Sequence, residues 1–295
     1  MTKKKSTQRL LSLAIAIPSS FIDVFSNKAQ KTQQIGRIAR ASAIFQVDEI
    51  LLFKDKRNQK QDKNLQFISR VLEYIETPQY LRKYLFAKLP ELQYVGLLPP
   101  LRTPHHPLVK KASRLKQDEI REGVAFLQKR NPVVDVGVES PLPLVKSNLT
   151  RFPQRVTVQI TRTKAGSLIA TQSSVSRTQQ YWGYQVRCLD LSLGKFLKEN
   201  QNNDYVIATS RKGTPVEELA KDIRVRWRNH RRLLLLFGSY NEGVAEILQR
   251  EQVDVTNVVN YSVNLFQSQG AATIRTEEAV QIGLTVFRFL ESMQI

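Results

Sequence analysis

Three short polar stretches in the C-terminal half carry the residues best suited to hold a ligand. They read Thr-Ser-Arg-Lys-Gly at 209–213, Gly-Ser-Tyr-Asn-Glu-Gly at 238–243, and Asn-Leu-Phe-Gln-Ser-Gln-Gly-Ala-Ala-Thr-Ile-Arg-Thr at 264–276. Each follows a run that reads as a buried strand. In open α/β sheets, ligands bind at the carboxyl ends of strands, where glycines let the backbone come close. Each stretch alone is no more than a turn, but three converging would make one pocket. The residues expected there are Thr209, Ser210 and Gly213, then Phe237, Gly238 and Gly243, then Asn264, Gln269, Gly270, Thr273, Ile274 and Thr276. Thr276, followed by Glu277 and Glu278, is the predicted N-cap of the last helix, with acids in its first turn.

Other chemistries are poorly supplied. No glycine fingerprint of a dinucleotide site and no P-loop occurs. Cys188 is the single cysteine and His105, His106 and His230 are the only histidines, so neither an internal disulfide nor a multi-cysteine zinc site is expected. No metal is expected. No Ser-His-Asp or Cys-His arrangement stands out.

The 295 residues carry 45 Lys and Arg against 26 Asp and Glu, a formal charge of +19. A polyanionic partner explains such a charge, because each cation placed on a phosphate releases counterions and adds affinity. No apolar run approaches the roughly 20 residues that span a bilayer, and a single-cysteine basic chain suits a reducing, cytoplasmic compartment. Lys3, Lys4 and Lys5 before the apolar run 10–17 imitate a secretory signal, but read better as a basic tail entering a buried first strand.

The elements that must position these residues follow from periodicity. The runs 10–17, 50–53, 205–210 and 233–238 read as strands, the first and second joined by a helix around 35–43 as in a parallel crossover. Helices are expected at 65–74, 79–86, 189–197, 216–223, 244–248 and 276–293. The last is apolar nearly all round, and is expected to be buried in the fold or against a second subunit. Between 98 and 107 the chain is proline-rich. From 123 to 171 apolar residues alternate with polar ones, as in a small antiparallel barrel inserted in an α/β domain.

The text Gln-Gly-Ala-Ala-Thr-Ile-Arg-Thr-Glu-Glu-Ala at 269–279 resembles the terminal signature of a branch of SPOUT-superfamily RNA methyltransferases found in archaea and eukaryotes, the branch that includes human centromere protein 32. Further blocks resemble the same family: Ile-Pro-Ser-Ser at 17–20, Gly-Arg-Ile-Ala-Arg-Ala at 36–41, Tyr-Ile-Glu-Thr-Pro-Gln-Tyr-Leu-Arg-Lys at 74–83, Pro-His-His at 104–106, Arg-Glu-Gly at 121–123 and Trp-Gly-Tyr-Gln-Val-Arg at 182–187. Two departures occur. The family often has a glycine pair at 238–239 and Gly-Leu-Glu where this chain has Gly243, Val244 and Ala245. It often has Gly-Ser-Arg where this chain has Gly270, Ala271 and Ala272, so a second arginine is missing.

The resemblance implies an α/β fold with a SPOUT-type parallel sheet, a C-terminal trefoil knot and an inserted OB-like antiparallel barrel. The methyltransferase domain would be 1–91 with 181–295, and the OB-like domain 92–180. It implies S-adenosylmethionine held by the three stretches, RNA (ribosomal RNA above all) as substrate, and a homodimer. Arg37 and Arg40 on the first helix, with Arg275 and Glu278 as alternatives, are the candidate catalytic residues; a plain solvated helix face is the competing reading of the two helix arginines. Arg82, Lys83, Arg224, Arg226, Trp227, Arg228 and Arg231 are expected to contact RNA, with Trp227 interleaved among cations as a stacking platform. His105 and His106 read as packing or as RNA contacts. The competing functional class is a non-catalytic RNA-binding or ribosome-assembly protein that uses the OB-like module.

Overall fold

A computed structural model describes residues 11–56, 58–175 and 180–293. Leu10 of the first expected strand and the basic tail at Lys3, Lys4 and Lys5 lie outside these residues. The chain divides into two compact units. One comprises Glu76–Pro90 and Pro100–Trp182; the other comprises Leu10–Ile75, Glu91–Pro99 and Gly183–Ile295. Residues 76–90 therefore belong with the alternating segment, and 91–99 with the α/β segment.

The α/β unit is built on strands β1 (Leu13–Pro18), β2 (Glu49–Phe53), β8 (Gln185–Cys188), β9 (Asp204–Pro215), β10 (Arg232–Leu236) and β11 (Tyr261–Asn264). They form one sheet in the order β11-β9-β10-β1-β2-β8, with every neighbouring pair parallel. β1 is buried along its whole length and β10 along all but its first residue. This is why both read as continuous apolar runs: a parallel strand covered on both faces has no polar side to show. Each large apolar side chain so buried contributes about 1.5–3 kcal/mol.

Helices α1 (Lys28–Ile44), α2 (Gln59–Glu76), α4 (Leu193–Asn200), α5 (Val216–Trp227), α6 (Val244–Arg250) and α7 (Thr276–Ser292) belong to these segments. Leu193, Phe196 and Leu197 of α4 and Val244, Ile247 and Leu248 of α6 join Ala14, Leu51, Val206 and Leu234 of the strands in one core. α7 buries Val280, Gly283, Leu284, Phe287 and Leu290 on one face. Phe289 remains 63 % exposed in the single chain: the fold itself buries a stripe at three- and four-residue spacing, and leaves Ile282 and Val286 half-buried.

The second unit contains the short α3 (Arg82–Leu85) and a closed barrel of β3 (Ile120–Gln128), β4 (Asn131–Asp135), β5 (Leu142–Val145), β6 (Gln154–Arg162) and β7 (Leu168–Gln172), in the order β3-β4-β5-β7-β6. Ala125, Val134, Val136, Leu144, Val158, Ile160 and Ala170 fill its interior, the inward half of the period-two pattern. One expectation needs correction. β5 and β7 pair parallel, so the barrel is not wholly antiparallel; β7 returns beside β6 by a short turn, and must then run alongside β5 for the barrel to close.

Candidate functional site

A cleft of about 400 Å³ opens beside residues 209–212 within β9 and the carboxyl ends of β10 and β11, three adjacent strands of the sheet. All three polar stretches line it: Thr209, Ser210, Arg211 and Lys212; Gly238 through Gly243; and Asn264, Leu265, Phe266, Gln269, Ala272, Thr273, Ile274 and Thr276. Glu246 of α6 and Ala279 and Ile282 of α7 complete the wall.

The first stretch is not a loop after a strand, as its sequence suggests, but part of β9 itself. β9 pairs with β11 at Ala208 against Ser262 and resumes at Thr214 against Val263, so residues 209–213 bulge out between adjacent partners. Gly213 makes this possible. A Cβ there would stand 2.7 Å from backbone atoms of Ser262 and Val263, so any side chain would force β11 away.

Side-chain hydrogen bonds knit the three stretches together. Thr209 Oγ1 donates to Leu236 O at 2.9 Å. Asn264 Nδ2 donates to Arg211 O at 2.9 Å, and Arg211 Nη1 donates to Ala272 O at 2.9 Å, so the first and third stretches are tied twice. Thr276 Oγ1 donates to Gly238 O at 2.9 Å, which ties the third to the second. Ser239 N donates to Glu242 O at 2.8 Å and closes the turn at 238–243. These groups shape the cleft. Its free surface is mixed, with apolar wall from Leu265, Phe266, Ile274 and Ile282 and charge from Glu246, Arg211 and Lys212, while Glu242 is paired with Arg250.

Of the twelve residues expected to hold a cofactor, nine line the cleft. Gly213, Phe237 and Gly270 do not. Gly213 acts one step behind it, and Phe237 is fully buried, with Gly283 of α7 close to its ring. Ser239, Asn241, Phe266 and Glu246 are among the lining residues outside that set. The first three lie in the polar stretches already identified, whereas Glu246 carries no local signal.

The candidate catalytic residues lie outside the cleft lining. Arg275, not Thr276, is the N-cap of α7, because the Thr276 hydroxyl is committed to Gly238. The Glu278 carboxylate accepts the Arg275 backbone N–H at 2.9 Å, and the Arg275 guanidinium lies 5.6 Å from the Phe25 ring centroid. Arg37 is exposed and Arg40 half-buried on α1. Glu277, in the first turn of α7, is buried to 3 % exposure. Burial raises its carboxyl above the usual range, and the neighbouring Glu278 adds to this; Arg275 and Arg37 pull the other way.

The residues expected on RNA are scattered. Arg82 Nε donates to Thr77 O at 2.9 Å, and Lys83 lies 3.7 Å from Asp135. On α5, Arg226 pairs with Asp222 at 2.8 Å and Arg224 donates to Met293 O; Arg228 and Arg231 are exposed. Trp227 is 1 % exposed, a correction: it shares the buried side of α5 with Ile223, four residues earlier, and offers no face to a base. His105 is buried against Glu76 at 3.0 Å, which makes it a packing residue.

A cleft of this size beside the carboxyl ends of parallel strands is where α/β proteins place small-molecule sites. The chain belongs to an RNA methyltransferase family: residues 12–287 match the family model described as "Putative RNA methyltransferase". It is similar to the 28S rRNA (uridine-N(3))-methyltransferases of Drosophila melanogaster (31 % identical over 94 % of this chain and 61 % of the relative), Homo sapiens (30 %, over 97 % and 80 %) and Mus musculus (29 %, over 97 % and 78 %). Among the described residues no helix is long and apolar enough to cross a membrane, and no group of three His, Cys, Asp or Glu could hold a metal.

Proposed function

We propose that the chain is an S-adenosylmethionine-dependent methyltransferase of the SPOUT class that acts on a uridine ring nitrogen, N3, in ribosomal RNA. The observation that carries this reading is the convergence of three chain stretches on one cleft, in a member of an RNA methyltransferase family. The names of the fly, human and mouse relatives support the ribosomal substrate and the ring nitrogen. The resemblance of 269–279 supports a C-terminal trefoil knot and a homodimer, and a single-cysteine basic chain suits the cytoplasm. The five-stranded closure supports an OB-like RNA-binding module inserted in the methyltransferase domain, with its expected bounds of 92–180 moved to 76–90 and 100–182.

The cleft fits the cofactor in size and lining. Leu265, Phe266 and Ile282 suit the flat adenine, and the hydroxyl and amide groups at Ser239 and Asn241 suit the ribose. When bound, S-adenosylmethionine supplies a methyl group on sulfonium sulfur, open to in-line displacement. The three stretches hold and orient it, and their apolar wall excludes water. The acceptor N3–H gives its proton to solvent water, and the negative charge left behind is shared by N3 and the carbonyl oxygens beside it. A guanidinium placed there lowers the barrier; Arg37, Arg40 and Arg275 are assigned this task or that of holding a phosphate. Glu278 is assigned to fixing the Arg275 backbone, since its carboxylate is committed to that N–H.

The test is methylation of large-subunit ribosomal RNA by the purified chain with labelled S-adenosylmethionine, followed by nucleoside mass spectrometry. N3-methyluridine is the expected product. RNA that binds but stays unmethylated would favour the non-catalytic assembly reading instead.

A further inference from the structure

The hairpin joining β3 and β4 has an unusual tip. Gln128 pairs with Asn131, and the two residues between them, Lys129 and Arg130, have φ of 50° and 71°. A two-residue turn with positive φ at both positions favours Asn-Gly or Gly-Gly, because a side chain beyond Cβ crowds the backbone there. This chain instead places its two longest cationic side chains in that conformation. Both are exposed, and among the described residues neither makes an ion pair. A strained backbone retained with costly residues points to what those residues do.

The surroundings suit a nucleic acid strand. Leu127 is 53 % exposed, and Pro132, directly opposite it across the ladder, is exposed as well. Directly opposed residues share a face of the sheet, so an apolar pair lies beside the two cations. The other face is closed: the Tyr84 ring stacks on Phe126 at 5.8 Å, and its hydroxyl donates to Asp135 at 2.9 Å. Lys83 stands 4.6 Å over that same ring, a third cation near the hairpin. Phosphates need cations in the open and a nucleoside needs a small apolar face, and this tip offers both.

We propose that the β3–β4 tip is a contact site for single-stranded RNA, with Lys129 and Arg130 on the phosphates and Leu127 with Pro132 against a sugar or base. The inference rests on the RNA-modifying reading and deepens it. An acidic protein segment is the other occupant that such a surface could take.

The experiment pairs two variants in the full chain. Lys129→Asn with Arg130→Gly installs the turn residues that this backbone prefers. Lys129→Gln with Arg130→Gln removes only the charges. Binding of a fluorescent 12-nucleotide single-stranded RNA is measured across a salt series, with Lys195→Gln/Lys198→Gln, two exposed lysines of α4, as a charge-matched control. Both hairpin variants are expected to bind about 20-fold more weakly at 0.1 M salt, with the slope of log K against log salt reduced by about 1.4, the value for two phosphate contacts on a single strand. The Asn-Gly variant should also melt several degrees higher than the wild type, so that affinity is lost while stability is gained. Unchanged affinity and slope in both hairpin variants, or an equal loss in the control, overturns the proposal and would leave an acidic protein as the occupant to seek. A wild-type chain that neither binds nor methylates RNA would fail the functional reading itself; a wild type that does both beside unaffected variants would fail the hairpin alone.

Discussion

Gly238→Val is expected to lower methyl transfer about 100-fold or more, the cost of misplacing a bound reactant by about an ångström. The reason lies in the turn that Gly238 opens. A Cβ at this position would stand 2.5 Å from Glu242 O and 2.8 Å from Gly243 Cα, both backbone atoms of the same turn. The turn cannot yield locally, because Ser239 N is bonded to Glu242 O and Thr276 Oγ1 holds the Gly238 carbonyl. A side chain at 238 therefore spreads the wall between β10 and α7. Thr276→Val keeps the shape but leaves the Gly238 carbonyl without its partner, and should cost about 1–3 kcal/mol of stability with a smaller kinetic effect. Single-turnover methylation of both variants checks this. Wild-type rates in Gly238→Val would mean that the cleft is not where the methyl donor sits.

The largest stability effect is expected at Arg155, in the barrel unit. Glu76, at the end of α2, is buried, and Arg155 grips its carboxylate with Nη1 at 2.7 Å and Nη2 at 3.1 Å while Nε reaches Glu122 at 2.7 Å. His105 adds a contact to Glu76 at 3.0 Å. Burial alone would raise the Glu76 carboxyl; His105 and Arg155 outweigh it and hold it at about 2. The same surroundings keep His106 neutral, because burial lowers its ring to about 4. Arg155→Met strands Glu76 as a buried charge, and should destabilise the unit by about 3–5 kcal/mol. Glu76→Gln with Arg155→Met should be milder, since only Glu122, which keeps Thr157 Oγ1 and Trp182 Nε1 as donors, then loses its cation. The acid dependence follows the same logic. Glu76 titrates lower folded than unfolded, so its contribution is complete above about pH 4.5 and is lost as the pH falls towards 2. Glu76→Gln should remove that acid limb. Urea unfolding of these variants between pH 2 and 7, followed by hydrogen exchange in β3 and β6, measures both effects. A double variant no milder than Arg155→Met would show that the pair does not act as a unit.

Parts of this fold lie on the surface of the sequence and parts do not. β1, β2 and β10 are legible because a strand buried on both faces must be apolar throughout. β8 is not: it is a four-residue edge strand with only half-buried and exposed positions, and its alternation of polar and apolar residues is too short to stand out. β9 reads as ending near Ser210 because its continuation is polar, and only the partner strand shows that 214–215 resume the ladder. Trp227 looks like a stacking residue among arginines, although its spacing from Ile223 already placed it on an apolar face. Glu76 and Arg155 are 79 residues apart, and no local pattern joins them. The site follows the same rule. Its three stretches were visible as polar, glycine-bearing text after apolar runs, and what brings them together is the order β11-β9-β10, which no single stretch encodes. The candidate arginines are marked by type and helix face, and Arg275 is fixed by geometry through the cap of α7.

The central claim, that these three stretches together hold the methyl donor, is tested most directly by amide hydrogen exchange on the full chain with and without saturating S-adenosylmethionine. Joint slowing at 209–213, 238–243 and 264–276, with the barrel strands unchanged, is the predicted result. No slowing at any of the three, or slowing confined to residues elsewhere in the chain, would contradict it.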